Sequence, residues 1–206
     1  MEKRIGIMGG TFDPIHMGHL ITAEMVRCAA FLDRILFIPS ARPPHKDGTR
    51  TASPEDRLIM TEYAVRENLH FSVSDIELRR NGPSYTVDTI AELQSRLDGA
   101  DLFFITGADA MNDLYLWHEP KRLLRSCRFI VATRQGVPLN ELLLAEKFTE
   151  EERRHIQVLP TPHLEISSSS IRTRIRSGLS IKYLVPSSVE EYIKKRGLYR
   201  EHVKEL

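Results

Sequence analysis

The sequence has few cysteines and no long apolar run, and both absences limit the kind of protein it encodes. Its two cysteines, Cys28 and Cys127, cannot build a disulfide framework, and both lie in apolar segments, so we expect reduced thiols in the core. No stretch of about 18 apolar residues is present, and the first apolar run stops at Gly9 and Gly10, so we expect neither a membrane span nor a signal peptide. These features predict a cytoplasmic protein.

An excess of charge of one sign is also missing. The 206 residues include 29 Lys and Arg against 28 Asp and Glu, a formal net charge of +1, which argues against a general nucleic-acid-binding protein. With 41% hydrophobic and 28% charged residues, the composition is that of an ordinary globular protein long enough for one domain with a sizeable core. We therefore expect the positive charge to lie in local patches. Residues 121–125 and 189–195 can contact a second copy in a homo-oligomer or form solvated helix faces.

Two common phosphate-binding motifs are absent as well. The sequence contains neither the Gly-x-Gly-x-x-Gly of dehydrogenases nor the Gly-x4-Gly-Lys-[Ser/Thr] of P-loop phosphotransferases. In their place, residues 9–19 read GGTFDPIHMGH, between a strand predicted at 5–8 and an amphipathic helix predicted to begin near His16. Helix N-termini attract anions, and Gly9 and Gly10 let the backbone approach closely. The turn therefore predicts a polyphosphate site.

The two histidines of this motif, His16 and His19, fall on the same side of the first helical turn, where both can face a bound anion. Two alternatives stay open. The pair could chelate a metal, although a zinc site usually needs three or four ligands and none follows at a familiar spacing. The histidines could also cap the helix without binding a ligand. We favour the anion because a second basic cluster lies near the end of the chain.

Strand and helix patterns alternate along the chain, which favours a parallel sheet covered by helices on both faces. Strands are predicted at residues 5–8, 35–38, 71–73, 102–106, 129–133 and 157–159. Helices are predicted from a Ser53 N-cap to about Asn68, over 86–97, and behind capping boxes at 149–152 and 188–191, with Gly197 ending the last one. The fold class is therefore α/β, a Rossmann-like doubly wound parallel sheet that binds ligands at the carboxyl ends of its strands.

The second basic cluster follows a run of serines. Residues 167–170 are all serine, a length more typical of a helix start than of a linker, and arginines follow at 172, 174 and 176. Arginines two positions apart lie on different helix faces, so Arg174 and Arg176 can equally be solvated. Arg172 lies nearest the serine-rich start, where hydroxyl groups and free amides are available to an anion.

Five blocks of the sequence, in order, resemble those of one family. They are residues 9–19 with His-x-Gly-His, 43–46 (PPHK), 84–89 (SYTVDT), 107–109 (GAD) with Trp117, and 166–172 (ISSSSIR). Together they resemble the bacterial nicotinate-nucleotide adenylyltransferases of the His-x-Gly-His nucleotidyltransferase superfamily, and they span nearly the whole chain. The resemblance implies one domain over residues 1–206, with a Rossmann-like core at 1–165 and a C-terminal helical segment at 166–206 that completes an ATP site.

The resemblance also implies a reaction, the transfer of AMP from ATP to nicotinate mononucleotide, which gives nicotinate adenine dinucleotide and pyrophosphate in NAD biosynthesis. Mg²⁺ would arrive with ATP and need few protein ligands. The residues implied as catalytic are His16, His19, Lys46 and Arg172. Those implied in ATP binding are Gly9, Gly10, Thr11, Phe12, Gly107, Asp109, Ile166, Ser167 and Ser169, and those implied in nicotinate mononucleotide binding are Tyr85, Thr86 and Trp117.

Several of these residues also have plainer interpretations. A lone Trp such as Trp117 is usually a core residue, whereas the resemblance implies that it stacks on the pyridine ring while Thr86 meets the ring carboxylate. Asp109 can cap a helix, or accept hydrogen bonds from the ATP ribose as the resemblance implies. Lys46, behind two prolines, is either solvated or, as the resemblance implies, in contact with phosphates.

One block departs from the family pattern. Related sequences often carry a second aromatic residue beside the stacking Trp, whereas Leu116 and His118 occupy the flanking positions here. Tyr115 and His118 therefore have no assigned role, and neither do His45 and Arg134. Other His-x-Gly-His enzymes, such as nicotinamide mononucleotide or phosphopantetheine adenylyltransferases, remain alternatives, as does a non-catalytic nucleotide-binding module.

Overall fold

Apolar runs separated by amphipathic segments fold into alternating strands and helices. The computed structural model describes residues 3–41, 52–133, 138–162 and 164–200, and no helix within them is long and apolar enough to cross a membrane. The strands are β1 (Arg4–Gly10), β2 (Arg34–Pro39), β3 (Phe71–Val73), β4 (Asp101–Gly107), β5 (Arg128–Thr133) and β6 (Ile156–Pro160). The helices are α1 (Met17–Ala29), α2 (Pro54–Val65), α3 (Thr86–Arg96), α4 (Ala108–Asn112), α5 (Pro120–Ser126), α6 (Glu141–Lys147), α7 (Glu150–Arg153), α8 (Ser168–Arg176) and α9 (Ser187–Arg196), with a 3₁₀ helix at Leu114–Leu116.

The six strands form one parallel sheet in the order β3-β2-β1-β4-β5-β6. Ile5 of the central strand β1 lies opposite Arg34 of β2 and Leu102 of β4. The chain adds β2 and β3 on one side of β1 and then returns to add β4 on the other. The strand order therefore reverses between β1 and β4, and a crevice for ligands forms at their carboxyl ends. The Rossmann-like α/β class predicted from the sequence is confirmed.

Each face of the sheet has its own core cluster. Side chains alternate along a strand, so Ile5 and Ile7 of β1 enter one cluster with residues of α3, α4 and α5, which we call the α3-side cluster. Met8 enters the other, the α1-side cluster, with residues of α1, α8 and α9. The C-terminal helices contribute Ile171 and Ile193 to this second cluster, 0% and 2% exposed. The division of the domain at residues 165 and 166 stays a prediction.

The two cysteines differ in their surroundings, and the prediction for one of them is wrong. Cys127 is buried, as expected, but Cys28 is exposed. On α1, Cys28 follows Ala23 by five residues and Val26 by two. With 3.6 residues per turn, these spacings place its side chain on the face opposite the buried stripe that contains Ala23 and Val26. Both thiols are free.

Two predicted helix boundaries also change. The capping box expected at 188–191 does not form, because α9 begins behind Pro186 and the Ser188 hydroxyl donates instead to the carbonyl of Tyr63 at 3.1 Å. This bond ties α9 to α2. The helix α2 itself ends at Val65, short of the predicted end near residue 68.

Gly6 of β1 is tightly enclosed, since a Cβ there would lie 2.5 Å from Cδ1 of Ile35 and 2.9 Å from Cδ1 of Ile105. We expect Gly6→Ala to lower the free energy of unfolding by about 1–3 kcal/mol, because the added methyl group must displace packed side chains. Urea unfolding measures the loss. Gly9→Ala on the same strand is the control, since its Cβ would meet Phe104 at an ordinary 3.5 Å. Equal losses in both variants would contradict the packing explanation.

Candidate active site

The predicted phosphate turn lies at the carboxyl end of β1, in the crevice beside β4. A Cβ at Gly10 would approach within 3.0 Å of the Phe12 ring, which explains glycine at the end of the strand. Phe12 takes a left-handed φ of 48°, and its buried ring meets the ring of His19 edge-on, with 5.1 Å between centroids. The turn therefore folds back so that its aromatic side chain supports the first turn of α1.

The two histidines stack on one another at the start of α1. His16 is the N-cap and His19 the third helical residue, and their ring centroids lie 3.7 Å apart with the planes inclined by 25°. The backbone N–H of His16 donates to Nδ1 of His19 at 3.2 Å, so the proton of a neutral His19 is on Nε2. A Cβ at Gly18 would lie 3.0 Å from Nδ1 of His16, which accounts for the glycine between the histidines. Both rings lie on one side of the turn, as predicted, and His19 also caps the helix.

Burial keeps both imidazoles neutral near pH 7. It lowers the pKa of His16 to about 4. It also lowers the pKa of His19 well below the ordinary value, and the charge of a protonated His16 would add to this effect. The pair therefore offers N–H donors to a ligand rather than positive charge.

A second helix N-terminus faces the same turn. Ser167 caps α8 and exchanges hydrogen bonds with Ser170, as predicted for the serine-rich helix start. The hydroxyl of Ser168 donates to the carbonyl of Pro14 at 2.9 Å, which fixes the start of α8 against the turn. The N-termini of α1 and α8 therefore converge, and the partial positive charge of the two helix ends favours an anion between them.

Arg172 of α8 reaches the phosphate turn. Its Nη1 donates to the carbonyl of Asp13 at 2.7 Å and lies 3.5 Å from the Asp13 carboxylate, while its Nη2 donates to the hydroxyl of Ser169 at 3.3 Å. Arg174 and Arg176 instead form hydrogen bonds within the C-terminal segment. Of the three arginines in the basic cluster, Arg172 is thus the one placed to meet a ligand at the turn.

A buried carboxylate, Asp13, organises the turn, although sequence reasoning assigns it no role. Asp13 is 1% exposed, and its Oδ1 accepts hydrogen bonds from the N–H of Ala52 at 3.0 Å and the hydroxyl of Tyr199 at 2.7 Å. The buried Arg57 of α2 donates to the carbonyl of Thr11 at 2.6 Å. A charged residue inside a largely apolar motif is a signal for Asp13, whereas nothing in the local sequence marks Arg57 or Tyr199.

The residues predicted to bind the pyridine nucleotide lie near the start of α3. Tyr85 is the N-cap of α3 and Thr86 is its first residue. The Tyr85 ring stacks on the ring of His118 with 4.2 Å between centroids, a contact that the sequence does not reveal. Trp117 is partly exposed and meets the ring of Phe104 edge-on at 6.0 Å. This region therefore presents three aromatic rings beside a helix N-terminus.

The two regions meet at the carboxyl ends of β1 and β4. The ring of Phe104 meets the ring of Trp117 edge-on, and it also lies 3.5 Å from the Cβ position of Gly9. Gly107 ends β4 and is the N-cap of α4, so Asp109 is the second helical residue and its predicted alternative as a helix cap is wrong. Asp109 is exposed beside an open cleft of about 650 Å³.

Some residues named from the sequence are not described by the structure. Lys46 and its neighbour His45 lie outside the described residues, and so does Arg134. Ile166 precedes the cap of α8, and its Cβ is 3.8 Å from the Cβ position of Gly18. Within the described residues, no group of three or more His, Cys, Asp or Glu side chains could hold a metal ion. Around the turn, imidazole, guanidinium, hydroxyl and amide donors suit a polyphosphate.

Comparison with known proteins identifies the relatives of this chain. Residues 7–174 match the family model described as cytidylyltransferase-like. A protein of Desulfitobacterium hafniense (strain Y51), named "probable nicotinate-nucleotide adenylyltransferase", is 48% identical over 199 residues, which cover 96% of each chain. Proteins of the same name from Moorella thermoacetica and Thermus thermophilus are 49% and 46% identical, over 96% of this chain and 92% and 100% of their own lengths.

Solved structures show the same fold. The nicotinic acid mononucleotide adenylyltransferase of Plasmodium falciparum, complexed with NaAD, matches with a TM-score of 0.79 at 22% identity, covering 96% of this chain and 98% of that one. At this identity the structural likeness shows the fold alone. The assignment to a family rests on the sequence relatives described above. With such relatives over nearly its whole length, the chain belongs to the nicotinate-nucleotide adenylyltransferase family, within the cytidylyltransferase-like proteins.

Proposed function

We propose that the protein transfers the adenylyl group of ATP to nicotinate mononucleotide, giving nicotinate adenine dinucleotide and pyrophosphate, in NAD biosynthesis. The observation that carries the proposal is the convergence of two helix N-termini, the neutral histidine pair and the Arg172 guanidinium on one turn. Such a concentration of donors suits a polyphosphate. Membership of the family, whose members are named for this reaction, supports the choice of substrates.

The reaction depends on alignment and charge neutralisation rather than on covalent catalysis. A phosphate oxygen of nicotinate mononucleotide attacks the α-phosphorus of ATP. The new P–O bond forms as the bond to the bridging oxygen breaks, and pyrophosphate leaves in line with the attack. Because the attacking oxygen is already anionic at neutral pH, the proposal requires no covalent intermediate on Ser169 or His16. The chain contributes by positioning both phosphates and by stabilising the charge that develops on them.

In this proposal the histidine pair contacts the α-phosphate and the bridging oxygen, while Arg172 and Lys46 contact the leaving pyrophosphate. His19 suits its role because Nδ1 accepts from the backbone, which leaves Nε2–H as a donor for phosphate. Arg172 suits its role because a planar guanidinium donates two parallel bonds to a phosphate. The proposed ATP-binding residues are Gly9, Gly10, Thr11, Phe12, Gly107, Asp109, Ile166, Ser167 and Ser169.

The nicotinate end of the proposal uses the start of α3. The Thr86 hydroxyl and the unpaired N–H groups of the first helical turn would donate to the ring carboxylate, which the partial positive charge of the helix end also favours. Trp117 would stack on the pyridine ring, and its edge-on contact with Phe104 supports the indole in one plane. Tyr85, stacked on His118, borders the same region.

The proposed partners are small molecules, namely ATP with its Mg²⁺ and nicotinate mononucleotide, without nucleic acid or a membrane. The described residues contain no cluster of three metal-ligating side chains, and none is required, because Mg²⁺ on a triphosphate keeps several waters. We place the reaction in the cytoplasm, in keeping with two free cysteines. Residues 121–125 and 189–195 are the candidate surfaces for a homo-oligomer.

His19→Ala should lower kcat by roughly 10²–10³-fold, because it removes one preorganised donor at the α-phosphate, a loss of about 2.7–4 kcal/mol. Continuous detection of pyrophosphate measures kcat, and circular dichroism checks that the variant folds. His155→Ala, an exposed histidine just before β6, is the control and should keep wild-type activity. If His19→Ala keeps more than about one tenth of wild-type turnover, His19 does not contact the reacting phosphate.

The substrate preference tests the nicotinate end. Nicotinamide mononucleotide replaces one carboxylate oxygen with NH₂, so a donor would face donors, at a cost on the order of 1–3 kcal/mol for each group left unpaired. Two such contacts amount to roughly 3–5 kcal/mol, a preference for the acid of about 10²–10³ or more in kcat/KM. We would measure kcat/KM for both mononucleotides and for phosphopantetheine. Equal use of the acid and the amide by the wild type would refute the proposed carboxylate contact.

Two variants locate this preference. Thr86→Val has nearly the same shape without the hydroxyl, so we expect the preference for the acid to fall. Trp117→Ala should weaken the binding of both mononucleotides to a similar extent, because both carry the pyridine ring that would stack on the indole. A Thr86→Val enzyme with an unchanged preference would mean that the hydroxyl does not contact the carboxylate.

The lowered pKa of His16 makes the free energy of unfolding depend on pH. In the unfolded chain the imidazole titrates near 6.5, whereas in the folded protein it stays neutral down to about pH 4. As the pH falls, the unfolded state therefore takes up the proton first. The contribution of His16 to the free energy of unfolding is fully present above the pKa of the unfolded state and is lost as the pH falls toward the pKa of the folded state. We therefore expect the free energy of unfolding to fall by about 2 kcal/mol from pH 7 to 5.

Urea unfolding at both pH values measures this loss. His16→Gln should reduce it, because glutamine cannot take up the proton. His155→Gln is the matched control, since it removes an exposed histidine far from the turn in sequence. The same pH dependence in the two variants would show that His16 is not its source.

A further inference from the structure

The C-terminal segment reaches back to the phosphate turn through one side chain. Gly197 ends α9 with a left-handed φ of 63°, and Tyr199 follows with a φ of 65°, so the chain reverses after the helix. The Tyr199 hydroxyl donates to Oδ1 of Asp13 at 2.7 Å, across 186 positions of sequence. Burial and the neighbouring Asp13 raise the pKa of Tyr199, so the hydroxyl keeps its proton and remains a donor.

The Asp13 carboxylate links this contact to Arg172. Its Oδ1 accepts from Tyr199 and Ala52, whereas its Oδ2 lies 3.5 Å from Nη1 of Arg172 and has no hydrogen-bond partner among the described residues. Because the carboxylate is buried away from water, its rotation is set by the groups that bond it. Two donors on Oδ1 therefore turn Oδ2 toward the guanidinium.

We propose that Tyr199 is a positioning residue for ATP, because its hydroxyl orients Asp13 and Asp13 in turn directs the Arg172 guanidinium toward the polyphosphate. The proposal rests on the role given to Arg172 in the proposed function. If the guanidinium turns from Asp13 to phosphate, the Asp13 carboxylate keeps the donors from Tyr199 and Ala52, so no buried carboxylate is left without a partner. Without the tyrosine hydroxyl, Oδ1 keeps only the N–H of Ala52, so the carboxylate is held less firmly and Oδ2 is no longer fixed against the guanidinium.

Tyr199→Phe tests this proposal because it removes the hydroxyl and keeps the ring. We expect the KM for ATP to rise about tenfold, the order of effect of one hydrogen bond to a charged group. The kcat and the KM for nicotinate mononucleotide should stay within about twofold of wild type, each measured with the other substrate saturating. A merely structural role would reduce the amount of active enzyme, and hence kcat, without changing the KM for ATP.

Tyr192→Phe is the matched control. The hydroxyl of Tyr192 on α9 donates to Oδ1 of Asp56 at 2.7 Å, the same bond at the same length, but Asp56 pairs with Arg196 rather than with Arg172. Each variant removes one tyrosine–aspartate hydrogen bond, so both should lose similar stability in urea. Only the change at Tyr199 should raise the KM for ATP.

A double-mutant cycle tests the route through Arg172. In an Arg172→Gln background, Tyr199→Phe should change the KM for ATP by less than about twofold, because the guanidinium that Asp13 directs is gone. If the increase in the KM for ATP in the double variant equals the product of the increases in the two single variants, Tyr199 acts by another route and the proposal is overturned.

Asp13→Asn supplies a second test if Tyr199→Phe does not fold. The amide oxygen can still accept from the tyrosine, but the charge that faces Arg172 is lost, so the KM for ATP should rise in this variant as well. An unchanged KM for ATP in a folded Tyr199→Phe or Asp13→Asn enzyme overturns the proposal. A wild type that makes no dinucleotide from ATP and nicotinate mononucleotide refutes the proposed function together with it, whereas an active wild type with an unaffected variant refutes the role of Tyr199 alone.

Discussion

The turn between β1 and α1 depends on the buried carboxylate of Asp13. A carboxylate removed from water is costly unless donors or a cation compensate it, and here the compensating groups come from three distant parts of the chain: hydrogen-bond donors at Ala52 and Tyr199, and the guanidinium of Arg172 at 3.5 Å. Each of them brings its own element onto the β1–α1 turn: α2, α8 and the segment after α9. The burial of one charge thus favours a single arrangement of these elements, and the convergence of two helix N-termini follows from it.

Close packing in the same turn sets the chemistry of the histidines. The rings of His16 and His19 stack at 3.7 Å with Phe12 edge-on to one of them, and at this distance two imidazolium ions would repel strongly in a poorly hydrated site. Burial therefore keeps the pair neutral, and positive charge at the turn comes from the guanidinium groups of Arg172 and Arg57 instead. In the proposed reaction, the neutral histidines donate to the α-phosphate and the Arg172 cation contacts the leaving pyrophosphate. Each group therefore stabilises the charge at its own contact.

How much of the structure the sequence predicts depends on how far apart in the sequence the interacting residues lie. The six strands are short apolar runs, and the Ser53 and Ser167 caps involve groups three positions away, so local patterns reveal them. Cys28 is misjudged because an apolar residue on a helix need not lie in its buried stripe. The bond between Asp13 and Tyr199 spans 186 positions and leaves no local pattern. The motifs therefore reveal candidate ligand contacts, and the tertiary structure reveals what orients them.

The two halves of the candidate site rest on different faces of the sheet. The turn at Phe12 and the start of α8 at Ile166 pack on the α1-side cluster, whereas Tyr85 and Trp117 pack on the α3-side cluster. The halves meet at the ring of Phe104, which contacts Trp117 and lies 3.5 Å from the Cβ position of Gly9 in β1. A parallel sheet separates the two clusters, so each half of the candidate site packs on a core of its own. The strand reversal between β1 and β4 thus lets one fold support the two halves of the candidate site on separate cores and still bring them side by side.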